Sequence, residues 1–169
     1  VNAANSSLLG GGGIDGAIHR AAGPQLLAEC RTLGGCETGH AKITAGYKLP
    51  AKHVIHTVGP IGENEAALKS CYESVLRIVH EKKLETVALC GVSTGIYGYP
   101  VEKAAEVALR TVRNWLSHPK NRVGLSRIVF VTFTQRETDV YNALMPLYFP
   151  PTDEPLTRSA MIRAYNKAK

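Results

Sequence analysis

Three short stretches of this 169-residue chain combine residue types and spacings that can do chemistry. The first is Asn2-Ala3-Ala4-Asn5, two side-chain amides three positions apart. The second is Gly10-Gly11-Gly12-Gly13-Ile14-Asp15, a glycine run that leads into a helical pattern carrying a carboxylate. Each glycine costs up to about 1 kcal/mol of backbone entropy relative to alanine, so four in a row need a reason. A backbone that approaches a ligand closely and presents bare N–H groups at a helix N-terminus is such a reason. A flexible linker is disfavoured by the apolar Leu8-Leu9 before the run and the helix after it.

The third stretch is Val92-Ser93-Thr94-Gly95-Ile96-Tyr97-Gly98-Tyr99-Pro100, where an apolar strand pattern gives way to a helix. Ser93 and Thr94 can donate hydroxyl hydrogen bonds, Gly95 and Gly98 allow close approach, and Tyr97 and Tyr99 could wall a ligand with their rings. Two such loops at strand-to-helix junctions suit a diphosphate. Neither is a GxxxxGK[ST] loop, and no GxGxxG follows a strand with an acidic residue about twenty positions on. These absences argue against a nucleoside triphosphatase and a nicotinamide dehydrogenase.

The elements that must position these loops alternate. Val1-Asn2 reads as the tail of a strand. Ile14, Ile18, Ala21 and Ala22 keep helical spacing, and Gly23-Pro24 closes that helix and opens another. Lys42–Tyr47 and His53–Val58 alternate as strands. Asn64 caps a helix with the stripe Leu68, Cys71/Tyr72, Val75/Leu76 and Val79. Thr86–Val92 and Arg127–Phe133 are apolar runs expected to be strands buried on both faces. Pro100 opens a helix with Val101, Ala105, Ala108, Val112 and Trp115 on one side, and Glu137–Leu144 predicts a last one. The order is that of an α/β sheet with helices on both faces. Residues 1–150 form one domain, and 151–169 form a polar, basic extension expected to be mobile outside the core.

Apolar residues make up 44% and charged residues 20% of the chain, with net charge +6. No run approaches the roughly 18 apolar residues of a membrane span, and the basic excess reads as solvated surface. No nucleic-acid motif occurs, nor basic residues interleaved with stacking aromatics. Cys30, Cys36, Cys71 and Cys90 form no CxxC pair and read as reduced thiols. Cys30, Cys36 and His40 match no common zinc spacing, so no metal is expected.

Several of these residues have plainer readings. Asp15 at a helix start is a favourable charge at the dipole's positive end. Asn5 can close an Asx-turn. His19 and His56 read as structural, and Phe133 is as natural in a core as in a site.

Asn2–Asn5, Ser7–Gly23 (SLLGGGGIDGAIHRAAG) and Ser93–Pro100 (STGIYGYP) resemble the macrodomain family. Gly39–Thr44 (GHAKIT) and Pro50–Pro60 (PAKHVIHTVGP) are similar to its MacroD-type branch. The resemblance runs from Val1 to about Pro150. It implies a three-layer α/β/α macrodomain with a mixed central sheet, whose N-terminal strands, including an acidic residue that reads adenine, would precede Val1. It also implies an ADP-ribose ligand, removal of mono-ADP-ribose from protein carboxylates, and deacylation of O-acetyl-ADP-ribose. Carried over by position, Asp15 would be the catalytic carboxylate, and Asn5 would hold the distal ribose. Ala3 and Ala4 would line the cleft beside it. Gly10, Gly11, Gly12, Gly13 and Ile14 would wrap the distal ribose and diphosphate. Val92, Ser93, Thr94, Gly95, Ile96, Tyr97 and Gly98 would form the opposite wall, and Phe133 would pack near the adenosine. No cofactor or metal is implied, the expected state is a monomer, and the expected compartment is intracellular: cytoplasmic or nuclear, or mitochondrial if a targeting segment preceded Val1. A reader that binds ADP-ribosylated proteins without turnover is the competing expectation, and Asp15 favours the enzyme.

Overall fold

A computed structural model describes residues 1–150. The expected extension at 151–169 lies outside the described residues. Five strands and five α-helices follow in the order β1 (Asn2–Ala4), α1 (Gly13–Ala22), α2 (Pro24–Thr32), β2 (Ala41–Ala45), β3 (His53–Val58), α3 (Glu65–Glu81), β4 (Thr86–Cys90), α4 (Val101–Ser117), β5 (Arg127–Val131) and α5 (Gln135–Tyr148). A short 3-10 turn, Pro119–Arg122, joins α4 to the last strand.

The local signals explain the boundaries. Gly23 takes φ 84° between the first two helices, and Pro24 supplies the first residue of α2, where its missing N–H costs nothing. The Asn64 side chain accepts from the Ala67 backbone at the start of α3. Thr134 and Glu137 form a reciprocal capping box on α5, so that helix begins two residues earlier than its apolar pattern suggests.

β3 is the hub of one ladder, order β1-β3-β2, parallel to β1 and antiparallel to β2. β4 and β5 form a second, parallel ladder. The Val1 nitrogen donates to the Ala88 carbonyl at 2.7 Å and brings β1 beside β4. Strand β1 therefore lies inside a mixed sheet.

Period-two alternation divides the core. Ile55 faces α3 and α4 together with Leu68, Tyr72, Leu76, Leu89 and Val112. Val54 and Val58 face the opposite side with Leu8, Ala22, Leu26 and Cys30, under α1 and α2. The result is a three-layer α/β/α arrangement.

One expectation is corrected. β4 and β5 are not buried on both faces: Val129 is 43% and Val131 45% exposed, and Ala88 is exposed beside them. Helices α1 and α2 cover only the β1-β3-β2 half, so among the described residues the other half carries helices on one face alone. No helix among the described residues is long and apolar enough to cross a membrane.

Candidate functional site

The site forms where β1, α1 and the loop after β4 meet. Leu8 adopts φ 61° and is fully buried, so it anchors the glycine loop to the core while Leu9 beside it is exposed. The loop then passes between two polar side chains. A Cβ on Gly11 would lie 3.1 Å from Asn5 Nδ2 and 3.2 Å from Asp15 Oδ2. Only glycine allows that passage without displacing one of them. Gly16, one residue past Asp15, faces the Gly11 carbonyl so closely that a Cβ there would collide with it.

Asp15 is 3% exposed. Its Oδ1 accepts from Asn2 Nδ2 at 2.8 Å and lies 3.5 Å from His19 Nε2, one helical turn on. Its Oδ2 is buried with no hydrogen-bond partner. A buried carboxylate oxygen without a partner is uncommon, and this one faces the glycine loop. The first turn of α1 also presents its backbone N–H groups there, which favours negative charge.

Asn5 does what an Asx-turn residue does. Its Oδ1 accepts from the Ser7 backbone at 3.0 Å and the Ser7 hydroxyl at 2.6 Å, and its Nδ2 donates to the Gly10 carbonyl at 2.9 Å. An amide nitrogen carries two hydrogens, so one remains available to a ligand hydroxyl. The side chains of Ala3 and Ala4 pack into the two core halves, and what they offer a ligand is backbone.

The second loop faces the first. A Cβ on Gly12 would sit 3.3 Å from Ile96 Cδ1, so the tips meet there, and Ile14 and Ile96 are both exposed. Ser93 takes φ 66°, a left-handed conformation that costs a non-glycine residue about 1 kcal/mol or more. Its Oγ is buried without a partner. Gly59, just past β3, has no Cβ to obstruct Ser93 and Val92, and the Tyr97 carbonyl accepts from Gly62 N at 2.6 Å. Gly95 and Gly98 are exposed, with Gly98 at φ 71°.

Three expectations about this region change. Tyr99 is buried against the α3–α4 core and lines a recess with Glu63, Lys103 and Arg110 instead of the glycine loops. The Val92 side chain is buried, leaving its backbone to the cleft. Phe133 is 97% exposed, which removes its reading as a core residue. The Thr94 hydroxyl donates to Glu137 Oε1 at 3.0 Å, while Glu137 Oε2 accepts from the Phe133 and Thr134 backbones. One carboxylate therefore ties the second glycine loop to the turn that carries Phe133.

Sequence reasoning named Asn2 without its partners, and missed Glu137 and the place of His19. For His19 a signal existed: its i, i+4 spacing from Asp15 puts both on one helix face. A Cβ on Gly10 would lie 3.5 Å from the His19 ring. Asn2 acts across strand register, which no local pattern encodes. Glu137 stands at capping-box spacing after Thr134, but its bond to Thr94 joins distant parts of the chain.

Cys30, Cys36 and His40 do not converge. Among the described residues the ligating types that do are His19, Cys30 and His56, with ligand atoms within 4.8 Å of one another. Both ring nitrogens of His56 are already hydrogen-bonded, to Asn2 and Thr44. Burial, with Glu29 and Asp15 nearby, pushes the Cys30 thiol up to about 11, which disfavours the thiolate a metal needs. Cys30 and His56 are both held neutral by burial. All four cysteines are buried free thiols.

The geometry agrees with what the chain is similar to. ADP-ribose glycohydrolase MACROD2 of Mus musculus is 56% identical over 159 residues, covering 90% of this chain and 33% of that protein. ADP-ribose glycohydrolase MACROD1 of Rattus norvegicus is 54% identical over 156 residues, 89% of this chain and 60% of that protein. The chain thus spans from a third to three-fifths of the length of these curated relatives. Among solved structures, the Trypanosoma brucei macrodomain in complex with ADP-ribose superposes with TM-score 0.81 at 46% identity, over 85% of this chain and 61% of that one. The Oceanobacillus iheyensis macrodomain with ADP gives 0.79 at 39% identity, over 86% and 81%. The family model described as Macro domain matches residues 1–108. The chain belongs to the macrodomain family, in its MacroD-type branch.

Proposed function

We propose that this chain binds ADP-ribose in the cleft between its two glycine loops and hydrolyses the ester that links ADP-ribose to a carboxylate. The substrates are proteins mono-ADP-ribosylated on glutamate or aspartate, and O-acetyl-ADP-ribose. The observation that carries the proposal is the Asp15 carboxylate, buried, held at Oδ1 by Asn2, with Oδ2 directed at Gly11 and lacking any partner. A pure reader of ADP-ribose needs the cleft but has no use for such a group.

The bond to be broken joins the anomeric carbon of the distal ribose to a carboxylate oxygen. Asp15 Oδ2 accepts a hydrogen bond from a water and turns its lone pair toward that carbon. The water oxygen bonds to that carbon as the carbon–oxygen bond of the ester breaks. The ribose keeps the water's oxygen as its hydroxyl, the acid leaves with both of its own oxygens, and the proton shed by the water balances the released carboxylate. Asn5, with its remaining amide hydrogen, holds a ribose hydroxyl. Gly10, Gly11, Gly12, Gly13 and Ile14 supply backbone around the ribose and diphosphate. Ser93, Thr94, Gly95, Ile96, Tyr97 and Gly98, with the backbone of Val92, close the other wall. Donors fixed before the substrate arrives stabilise the diphosphate without reorganisation during reaction. Phe133, exposed on a turn tied to the second loop, offers its ring to the adenosine.

Release of free ADP-ribose from a glutamate-modified protein, followed by chromatography, tests the proposal. Turnover by the wild-type chain is expected. Binding of ADP-ribose without any release would make the chain a reader.

A further inference from the structure

We propose that His56 is a positioning residue for Asp15: its Nδ1 accepts from the Asn2 amide and so fixes the orientation in which that amide holds the carboxylate. The inference rests on the hydrolytic reading of Asp15 above.

Strand register creates the contact. Asn2 lies opposite His56 in the parallel β1-β3 pair, on the face covered by α1 and α2. Asn2 Nδ2 is 2.8 Å from Asp15 Oδ1 and 3.0 Å from His56 Nδ1. An amide NH2 has one hydrogen for each. The reverse orientation would point the amide oxygen at a carboxylate, so the donor direction is dictated. His56 Nδ1 must then be the acceptor, and the ring hydrogen belongs to Nε2.

The other end of the ring agrees. Thr44 Oγ1 lies 2.9 Å from His56 Nε2, and its own hydrogen has the Ala45 carbonyl at 3.1 Å. Thr44 therefore accepts from the ring and passes its hydrogen to backbone. The donors are then fixed: the ring to Thr44, and the Asn2 amide both to the ring and to Asp15. If the ring carried its hydrogen on Nδ1, that hydrogen would face the Asn2 NH2 group. The amide would turn over and place its oxygen against Asp15 Oδ1.

Asn2, His56 and Thr44 are at most 2% exposed, on a face otherwise built from Ala4, Leu26, Cys30, Val54 and Val58. Buried polar groups in an apolar layer cost free energy, and the Asn2 Oδ1 is buried with no partner, so the arrangement is kept at a cost that apolar residues would avoid. The groups around the ring are His19 from α1, Cys30 and Glu29 from α2, and the Val1 nitrogen just before β1. Burial first, then His19, holds the ring's basicity down to about 4. It stays neutral and able to accept at neutral pH.

Side-chain geometry supplies the test. In His56→Asn an amide oxygen can occupy the Nδ1 position, whereas in His56→Gln the amide reaches the Nε2 position and nothing accepts from Asn2. Rates of ADP-ribose release, with ADP-ribose Kd beside them, are the readout. His56→Gln is expected to lose about 10–100-fold in kcat, the scale of a misplaced reacting group, with Kd within about threefold of wild type. His56→Asn should recover most of that loss, and Thr44→Val, nearly isosteric, should lower kcat in the same direction. Equal losses in His56→Asn and His56→Gln, or wild-type kcat in His56→Gln, would overturn the inference while leaving the hydrolytic reading intact. An inactive wild type would remove both. Ring 15N spectra of His56 read the geometry independently of turnover: an Nε2-protonated ring is expected, and an Nδ1-protonated ring would overturn the assignment.

Discussion

At the scale of single residues, the site depends on what is absent as much as on what is present. Gly11 runs between Asn5 and Asp15 with room for a hydrogen and nothing larger, since a Cβ would lie 3.1 and 3.2 Å from their polar atoms. Gly11→Ala is therefore expected to push the Asp15 carboxylate or the loop aside and to lower kcat for ADP-ribose release by about tenfold or more. Its melting temperature should stay close to wild type, because the loop is exposed. Steady-state rates beside a thermal melt check both. The catalytic role of Asp15 came only from the family resemblance, but its placement at a helix start behind the glycine run was legible because it is local. The Asn2 and His56 pairing was not. Those residues are 54 positions apart, and only the parallel register of β1 on β3 brings them face to face. Asn5 illustrates a third case, where both sequence readings hold together: it closes its own turn and keeps one hydrogen to donate.

At the scale of elements, Glu137 joins three features that sequence treats separately. It completes the capping box of α5, accepts from the Phe133 backbone, and accepts from Thr94 in the second glycine loop. Glu137→Ala should cost about 1 kcal/mol of stability through the lost cap. It should also weaken ADP-ribose binding several-fold by freeing the loop, with urea unfolding and calorimetric titration reading the two effects. The helices were largely legible. The α3 stripe, its Asn64 cap and the Gly23-Pro24 boundary obey rules of spacing and backbone geometry that need no tertiary partner. Burial of the strands was not. Val129 and Val131 are apolar yet exposed among the described residues, since local pattern does not say what packs on each face of a strand. Tyr99 failed for the same reason: a tyrosine beside a glycine loop looks like a ligand wall until α3 and α4 close over it.

For the molecule as a whole, the buried network under α1 links stability to pH. His56 is held near 4 when folded against an ordinary 6.5, first by burial and then by His19. Between those values the unfolded chain binds a proton that the folded chain refuses, so stability rises with pH through this window. Stability from this group is full above about 6.5 and falls as pH drops toward 4, by ~3 kcal/mol at most. Urea midpoints between pH 7 and 4.5 should show the fall, and His56→Asn should flatten it; an unchanged slope in that variant would assign the effect to other groups. The same fold brings two loops some eighty residues apart (Gly12 and Ile96) to one cleft, with one buried carboxylate oxygen between β1 and α1 directed into it. The central claim is that this oxygen directs the water that frees ADP-ribose. The most direct measurement compares wild type with Asp15→Asn for both ADP-ribose release from a glutamate-modified protein and ADP-ribose affinity. A fall in kcat of about 100-fold or more with Kd within about threefold is predicted, the signature of an interaction made in the transition state. Equal release by the two proteins would contradict the account.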